Sequence, residues 1–176
     1  MKRVQKINNI IFSKMSLSAK IKSLGRSISR DYKDQELTII SLMAGSILFT
    51  ADLIREISIP IHLYTITVSS YNGAKISSGI LNIKESLPNC KDKNILLVDD
   101  ILDSGLTLST LKANIEELKP NSVKTCVLLK KNIERNYNIE PDYYGFNIGE
   151  EFVVGYGLDY QGLYRNVPYI GTLEDK

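Results

Sequence analysis

Residues 96–107 read LLVDDILDSGLT, an apolar run that meets the carboxylates Asp99, Asp100 and Asp103 and then a glycine and two hydroxyls. Neighbouring like charges cost free energy unless a cation or hydroxyl donors offset them. Helix capping by Asp103 or Ser104 explains one acid and leaves the other two without a role. Asp103, Ser104, Gly105, Leu106 and Thr107 form a turn into a helix. Main-chain N–H groups and the helix dipole make such a turn a phosphate cradle. Gly105 permits a close backbone approach or a positive φ. The pattern G-x-x-x-x-G-K-[ST] of the ATP-type phosphate loop does not occur in the chain. A phosphate cradle beside two carboxylates points to a phosphorylated sugar, with carboxylates accepting from its hydroxyls and Mg²⁺ nearby.

These residues need a strand before them and a helix after them. NILLV (94–98) supplies the strand, and LTLSTLKANIEEL (106–118) the helix, with Leu108, Leu111, Ile115 and Leu118 inward. Upstream, LTIISLM (37–43) reads as a buried strand broken by AGS (44–46). ILFTADLIREI (47–57) reads as a helix with Ile47, Ala51, Ile54 and Ile57 inward, ended by Pro60. HLYTITVSS (62–70) and SVKTCVLLK (122–130) are further strands, and YYGF and FVVGY two short ones. The first thirty-odd residues read as an amphipathic helix, with Leu17, Ile21, Leu24 and Ile28 at helical spacing. Alternating strands and helices imply right-handed crossovers and a mainly parallel α/β sheet with helices on both faces. SYNGAKISSG (70–79) is longer than most connections and suits an active-site lid.

At 176 residues, one domain spanning 1–176 is expected. Apolar content of 43% and charged content of 24% suit a globular chain and argue against disorder. Two cysteines, Cys90 and Cys126, and a single histidine, His62, lack metal-ligand spacing, so a reducing cytoplasm is expected and a zinc site or disulfide framework is not. No apolar run is long enough to span a membrane. Residues 1–30 carry eight Lys and Arg and no acid. A transit peptide reads this way, but the periodic apolar stripe favours a surface helix packed on the body.

ILLVDDILDSGLT resembles the phosphoribosyl-pyrophosphate (PRPP) motif of type I phosphoribosyltransferases. Asp103 resembles the 6-oxopurine branch of that family, the hypoxanthine-guanine enzymes. GSILFTADLIREI (45–57), VSSYNGAKISSG (68–79), PDYYGF (141–146) and EFVVGYGLDYQGLYRNVPYIGTL (151–173) extend the resemblance along nearly the whole chain. It implies the type I fold, with a small hood subdomain and a flexible active-site loop, and transfer from PRPP to hypoxanthine or guanine with Mg²⁺, releasing pyrophosphate.

By resemblance, Asp99 and Asp100 hold the ribose hydroxyls, and Asp103 faces N7 of the purine as general base. Residues 103–107 take the 5′-phosphate, and Lys130 donates to the 6-oxo group. Phe152 stacks on the base, Val153 offers main-chain groups to its edge, and Arg165 contacts pyrophosphate. Asp159 ligates Mg²⁺, with Asp99 and Asp100 as further metal candidates. Ser70 and Tyr71 lie on the closing loop. Where several relatives have a basic residue the chain has Ala44, so the main chain of Ala44 and Gly45 is left to bind pyrophosphate. In the family this loop can carry a cis peptide, which falls between Met43 and Ala44. A homodimer or homotetramer is expected, with neither nucleic acid nor membrane as partner. The alternatives are a nucleotide-responsive RNA-binding regulator on the same fold, disfavoured by Asp103, and a xanthine-preferring transferase.

Overall fold

The computed structural model describes residues 5–69, 82–83, 86–135 and 137–174. Its elements in chain order are β1 (Ile7–Phe12), α1 (Lys14–Asp31), β2 (Leu37–Met43), α2 (Ile47–Glu56), β3 (Ile61–Ser69), β4 (Asn82–Ile83), β5 (Asn94–Leu102), α3 (Leu106–Glu116), β6 (Ser122–Lys131), β7 (Tyr143–Ile148), β8 (Val153–Val154) and β9 (Ile170–Leu173). The larger sheet has the order β4-β3-β2-β5-β6-β7. Its five long strands run parallel, and β4 pairs antiparallel with β3. A smaller antiparallel sheet, β1-β9-β8, forms the hood. The expected α/β class, mainly parallel sheet and hood are all present.

Strand alternation divides the core in two. Leu37 and Ile39 of β2, Leu96 and Val98 of β5 and Cys126 and Leu128 of β6 pack with α1 and α2. Ile40, Leu42, Ile95, Leu97 and Val127 pack on the other face with Leu108, Leu111 and Ile115 of α3. The period-2 geometry of a strand buried on both faces requires this division. After β2 the chain moves outward to β3; after β5 it moves the other way to β6. The strand order therefore reverses between β2 and β5, and their carboxyl ends open a crevice there.

Four expectations are corrected. The basic N-terminal segment is not helix throughout, because Ile7–Phe12 pairs with β9 from the far end of the chain. That partner, Ile170–Leu173, carries no local signal and was not expected as a strand. Ser13 then starts α1, its side chain accepting from the Ser16 N–H. Helix α2 buries Phe49, Thr50 and Leu53; of the expected positions Ile54 and Ile57 do pack on the core, while Ile47 is 48% exposed. Helix α3 ends at Glu116, which leaves Leu118 outside it and exposed. Finally, β5 runs on to Leu102, so Asp99 and Asp100 lie within its carboxyl-terminal end, and Asp99, Ile101 and Leu102 keep pairing with β6.

Candidate active site

At the sheet reversal, Leu42, Met43, Gly45, Val68, Asp99, Asp100 and Thr107 line a recess of about 160 Å³. Asp99 Oδ1 accepts from the Asp100 N–H at 3.0 Å, and Asp100 Oδ1 from the Ile101 N–H at 2.9 Å. Each carboxylate is thus held by the next peptide. Burial, and then the charge of Asp100, push the Asp99 carboxyl well above the usual carboxylate range. Asp100 is also raised by burial, with the Arg165 charge acting in the opposite direction. The two carboxylates thus disfavour each other's charge, and a cation or hydroxyl donor between them would relieve this.

The floor is main chain. A Cβ on Gly45 would lie 1.8 Å from Asp100 Oδ2, and one on Gly157 would lie 2.1 Å from the Gly45 carbonyl oxygen. Gly157 also has φ +100°, which disfavours any side chain there. The peptide between Met43 and Ala44 is cis, and Ala44 brings no polar side chain. Arg165 Nη1 donates to the Gly157 carbonyl at 2.5 Å, and its Nη2 lies 2.6 Å from Asp159 Oδ1. Asp159 Oδ2 accepts from the Gly162 N–H at 2.7 Å.

A second recess, lined by Asp99, Ile101, Asp103, Ser104, Gly105 and Thr107 among others, adjoins the first through Asp99 and Thr107. Gly105 has φ +84°, and a Cβ there would press within 2.9 Å of Ile139, so glycine makes this turn. Its carbonyl accepts from the Ser109 N–H, and Leu106–Glu116 follows as helix. The Leu106 N–H donates weakly to Ser104 Oγ at 3.4 Å. The cradle expected at 103–107 is therefore a left-handed glycine turn at a helix start.

The two lysines at the end of β6 take different partners. Lys130 Nζ sits 2.5 Å from Glu140 Oε2 and over the Tyr144 ring. The lysine that reaches Asp103 is Lys131, its Nζ 3.2 Å from Asp103 Oδ2. Consecutive residues of a strand point to opposite faces, so the two lysines cannot share a role. Arg135 had no place in the sequence reading. Its side chain is only 9% exposed. Nε donates to the Asp103 carbonyl at 3.0 Å, Nη2 donates to the Lys131 carbonyl, and Nη1 lies 3.5 Å from Glu140. One guanidinium thus ties the start of the phosphate turn to the end of β6. The only sequence hint was a lone arginine in a polar connection.

Phe152 is 57% exposed and meets Tyr160 edge to face, ring centroids 5.7 Å apart. Phe152 is therefore not a core residue. Val153 is buried in the hood, paired with Thr172 of β9. Among the described residues no three His, Cys, Asp or Glu side chains gather closely enough to hold a metal. Asp99, Asp100 and Asp159 therefore do not form one ligand cluster. Ser70 and Tyr71, and the lid expected at 70–79, lie outside the described residues. The two cysteines are buried and free.

The Phosphoribosyl transferase domain model matches residues 8–161. The hypoxanthine-guanine phosphoribosyltransferase of Staphylococcus epidermidis is 40% identical over 169 residues, covering 96% of this chain and 94% of that protein. The Mycobacterium tuberculosis protein of the same name is 38% identical over 177 residues, covering 97% and 88%. A crystal structure of a hypoxanthine-guanine phosphoribosyltransferase from Bacillus anthracis superposes with a TM-score of 0.90 at 38% identity, covering 95% of this chain and 99% of that one.

Proposed function

This chain belongs to the phosphoribosyltransferase family, in its hypoxanthine-guanine branch, and on that premise we propose which residues carry out each part of the reaction. The chain transfers the phosphoribosyl group of PRPP to N9 of hypoxanthine or guanine, giving IMP or GMP and pyrophosphate, a purine-salvage reaction. The bond from ribose C1 to pyrophosphate oxygen breaks, and the bond from C1 to N9 forms.

Asp99 and Asp100 accept hydrogen bonds from the ribose hydroxyls, which relieves their mutual repulsion. The turn from Asp103 to Thr107 binds the 5′-phosphate through main-chain N–H groups and the Ser104 and Thr107 hydroxyls. Positive charge builds on the ring as the bond at C1 breaks, and the two carboxylates favour it. The main chain of Ala44 and Gly45, with Arg165, receives the pyrophosphate. Asp103 takes the proton that the purine gives up at N7, as a general base. Lys131, rather than Lys130, donates to the 6-oxo group, because it alone shares the face of Asp103. Phe152 stacks on the base, and Val153 presents main-chain groups to its edge. Ser70 and Tyr71 keep their proposed place on the closing loop, which excludes water from the ring.

The carboxylate oxygens at the site are the hard donors that Mg²⁺ prefers, and their dispersed placement suits an ion bound by one or two carboxylates together with substrate phosphates. Asp159 is the proposed protein ligand, with Asp99 and Asp100 near the ribose side. An Mg²⁺ held there would supply positive charge against the departing pyrophosphate.

The Asp103–Lys131 contact carries this reading. The test is a purine panel of hypoxanthine, guanine, xanthine and adenine, each with PRPP and Mg²⁺. Turnover is expected with hypoxanthine, guanine or both. Preference for xanthine would shift the substrate, and no turnover with any purine would contradict the assignment. Two free buried cysteines suit a cytoplasmic site of action. Assembly as a homodimer or homotetramer is expected and is measurable by sedimentation.

A further inference from the structure

Three hydroxyls lie completely covered beneath the loop that joins β2 to α2. Ser41 and Ser46 are 0% exposed and Thr50 is 3% exposed. Ser46 Oγ donates to the Leu42 carbonyl at 2.5 Å. Ser41 Oγ lies 2.8 Å from Ser46 Oγ and 2.6 Å from Thr50 Oγ1. A carbonyl only accepts, and a hydroxyl has one hydrogen to give. Ser46 spends its hydrogen on Leu42, so Ser41 donates to Ser46, and Thr50 donates to Ser41. The chain runs one way, from Thr50 through Ser41 and Ser46 to the Leu42 carbonyl.

That chain closes on the segment from which pyrophosphate is to be bound. Leu42, Met43 and Gly45 line the recess. A side chain on Gly45 would collide with Asp100 Oδ2, and one on Gly157 with the Gly45 carbonyl oxygen, so both positions need glycine for this close approach. Ala44 offers no polar side chain, so pyrophosphate here meets main-chain groups, whose directions depend on how the loop is held. Apolar residues of the same size would fill the space equally well. Buried hydroxyls in their place add direction to packing.

We propose that Thr50, Ser41 and Ser46 are positioning residues that fix the main chain of residues 42–46 in the form that receives pyrophosphate. The proposal rests on the reading of that loop as the pyrophosphate site. Ser46 holds the loop directly, Ser41 orients Ser46, and Thr50 orients Ser41. The effect of removal therefore falls along the chain.

The test uses the near-isosteric variants Ser46→Ala, Ser41→Ala and Thr50→Val, with Thr50→Ser to restore the hydroxyl. KM is measured for PRPP and purine in the forward direction and for pyrophosphate in the reverse. Ser46→Ala should raise KM for PRPP and pyrophosphate by about two- to tenfold, the scale of one neutral hydrogen bond. Ser41→Ala should do less, Thr50→Val least, and Thr50→Ser should return to the parent value. KM for the purine should stay within about twofold, because the base site lies on β5, β6 and the hood. Unchanged KM for both phosphate ligands, or equal loss for the purine, would overturn the proposal. Gly45→Ala separates the two layers of argument. If it leaves pyrophosphate KM unchanged, the loop is not the pyrophosphate site. If it raises that KM while Ser46→Ala does not, only the hydroxyl chain fails.

Discussion

The two halves of the site are built from different materials. On the side proposed to take ribose and phosphate, Gly45, Gly105 and the peptides after Asp99 and Asp100 do most of the shaping. Their chemistry is contained within short stretches, because a glycine turn or a strand-end carboxylate is a local object. On the side proposed to take the purine, long side chains converge from separate elements: Asp103 after β5, Lys131 at the end of β6 and Arg135 beyond it, with the exposed Phe152 before β8. There a change of one residue along a strand moves a side chain to the opposite face. The first half tolerates little change in its backbone; the second depends on which face each side chain takes.

The two halves should separate when perturbed. Asp103→Asn keeps the shape and removes the base, so turnover should fall by roughly 10²–10⁴-fold while PRPP binding is retained. Steady-state kinetics with a direct PRPP titration reads both numbers, and near-normal turnover would take Asp103 out of the role. Phe152→Ala strips the exposed ring and should raise purine KM by about 5- to 150-fold, the range for one base stacked on an aromatic ring. KM for PRPP should change little; a matching rise would place Phe152 on the phosphate side. Asp99→Asn removes an ionisable carboxyl from the crowded pair. It should weaken PRPP binding yet stabilise the free protein. A gain of about 1 kcal/mol would appear in calorimetry as a rise of about 2–4 °C in Tm, and a fall would mean that the repulsion is already relieved without substrate.

The same contrast explains what could be read from the sequence. The acidic stretch, its glycine turn and the flanking strand and helix were all visible, because capping, turn and periodicity are local signals. The parallel sheet followed from the alternation of elements. The hood's third strand, Ile170–Leu173, was invisible because its partners among the described residues, β1 and β8, are not its neighbours in sequence. Two adjacent apolar stripes on Ile47–Glu56 compete, and packing against α1 and the sheet chose Phe49 and Leu53. Lys130 and Lys131 are neighbours of the same type, and only the placement of β6 against β5 and β7 shows which one turns toward Asp103. Arg135 gains its meaning from carbonyls 4 and 32 residues away along the chain.

The central claim is that the base is read by the face of β6 that carries Lys131. Lys131→Met and Lys130→Met, compared in one experiment by KM for hypoxanthine and for PRPP, test it most directly. Lys131→Met should raise hypoxanthine KM by roughly 10- to 150-fold, the scale of a hydrogen bond to a charged donor, with PRPP KM nearly unchanged, and Lys130→Met should leave both within about twofold. The reverse pattern, with Lys130→Met crippling purine binding and Lys131→Met silent, would contradict the account.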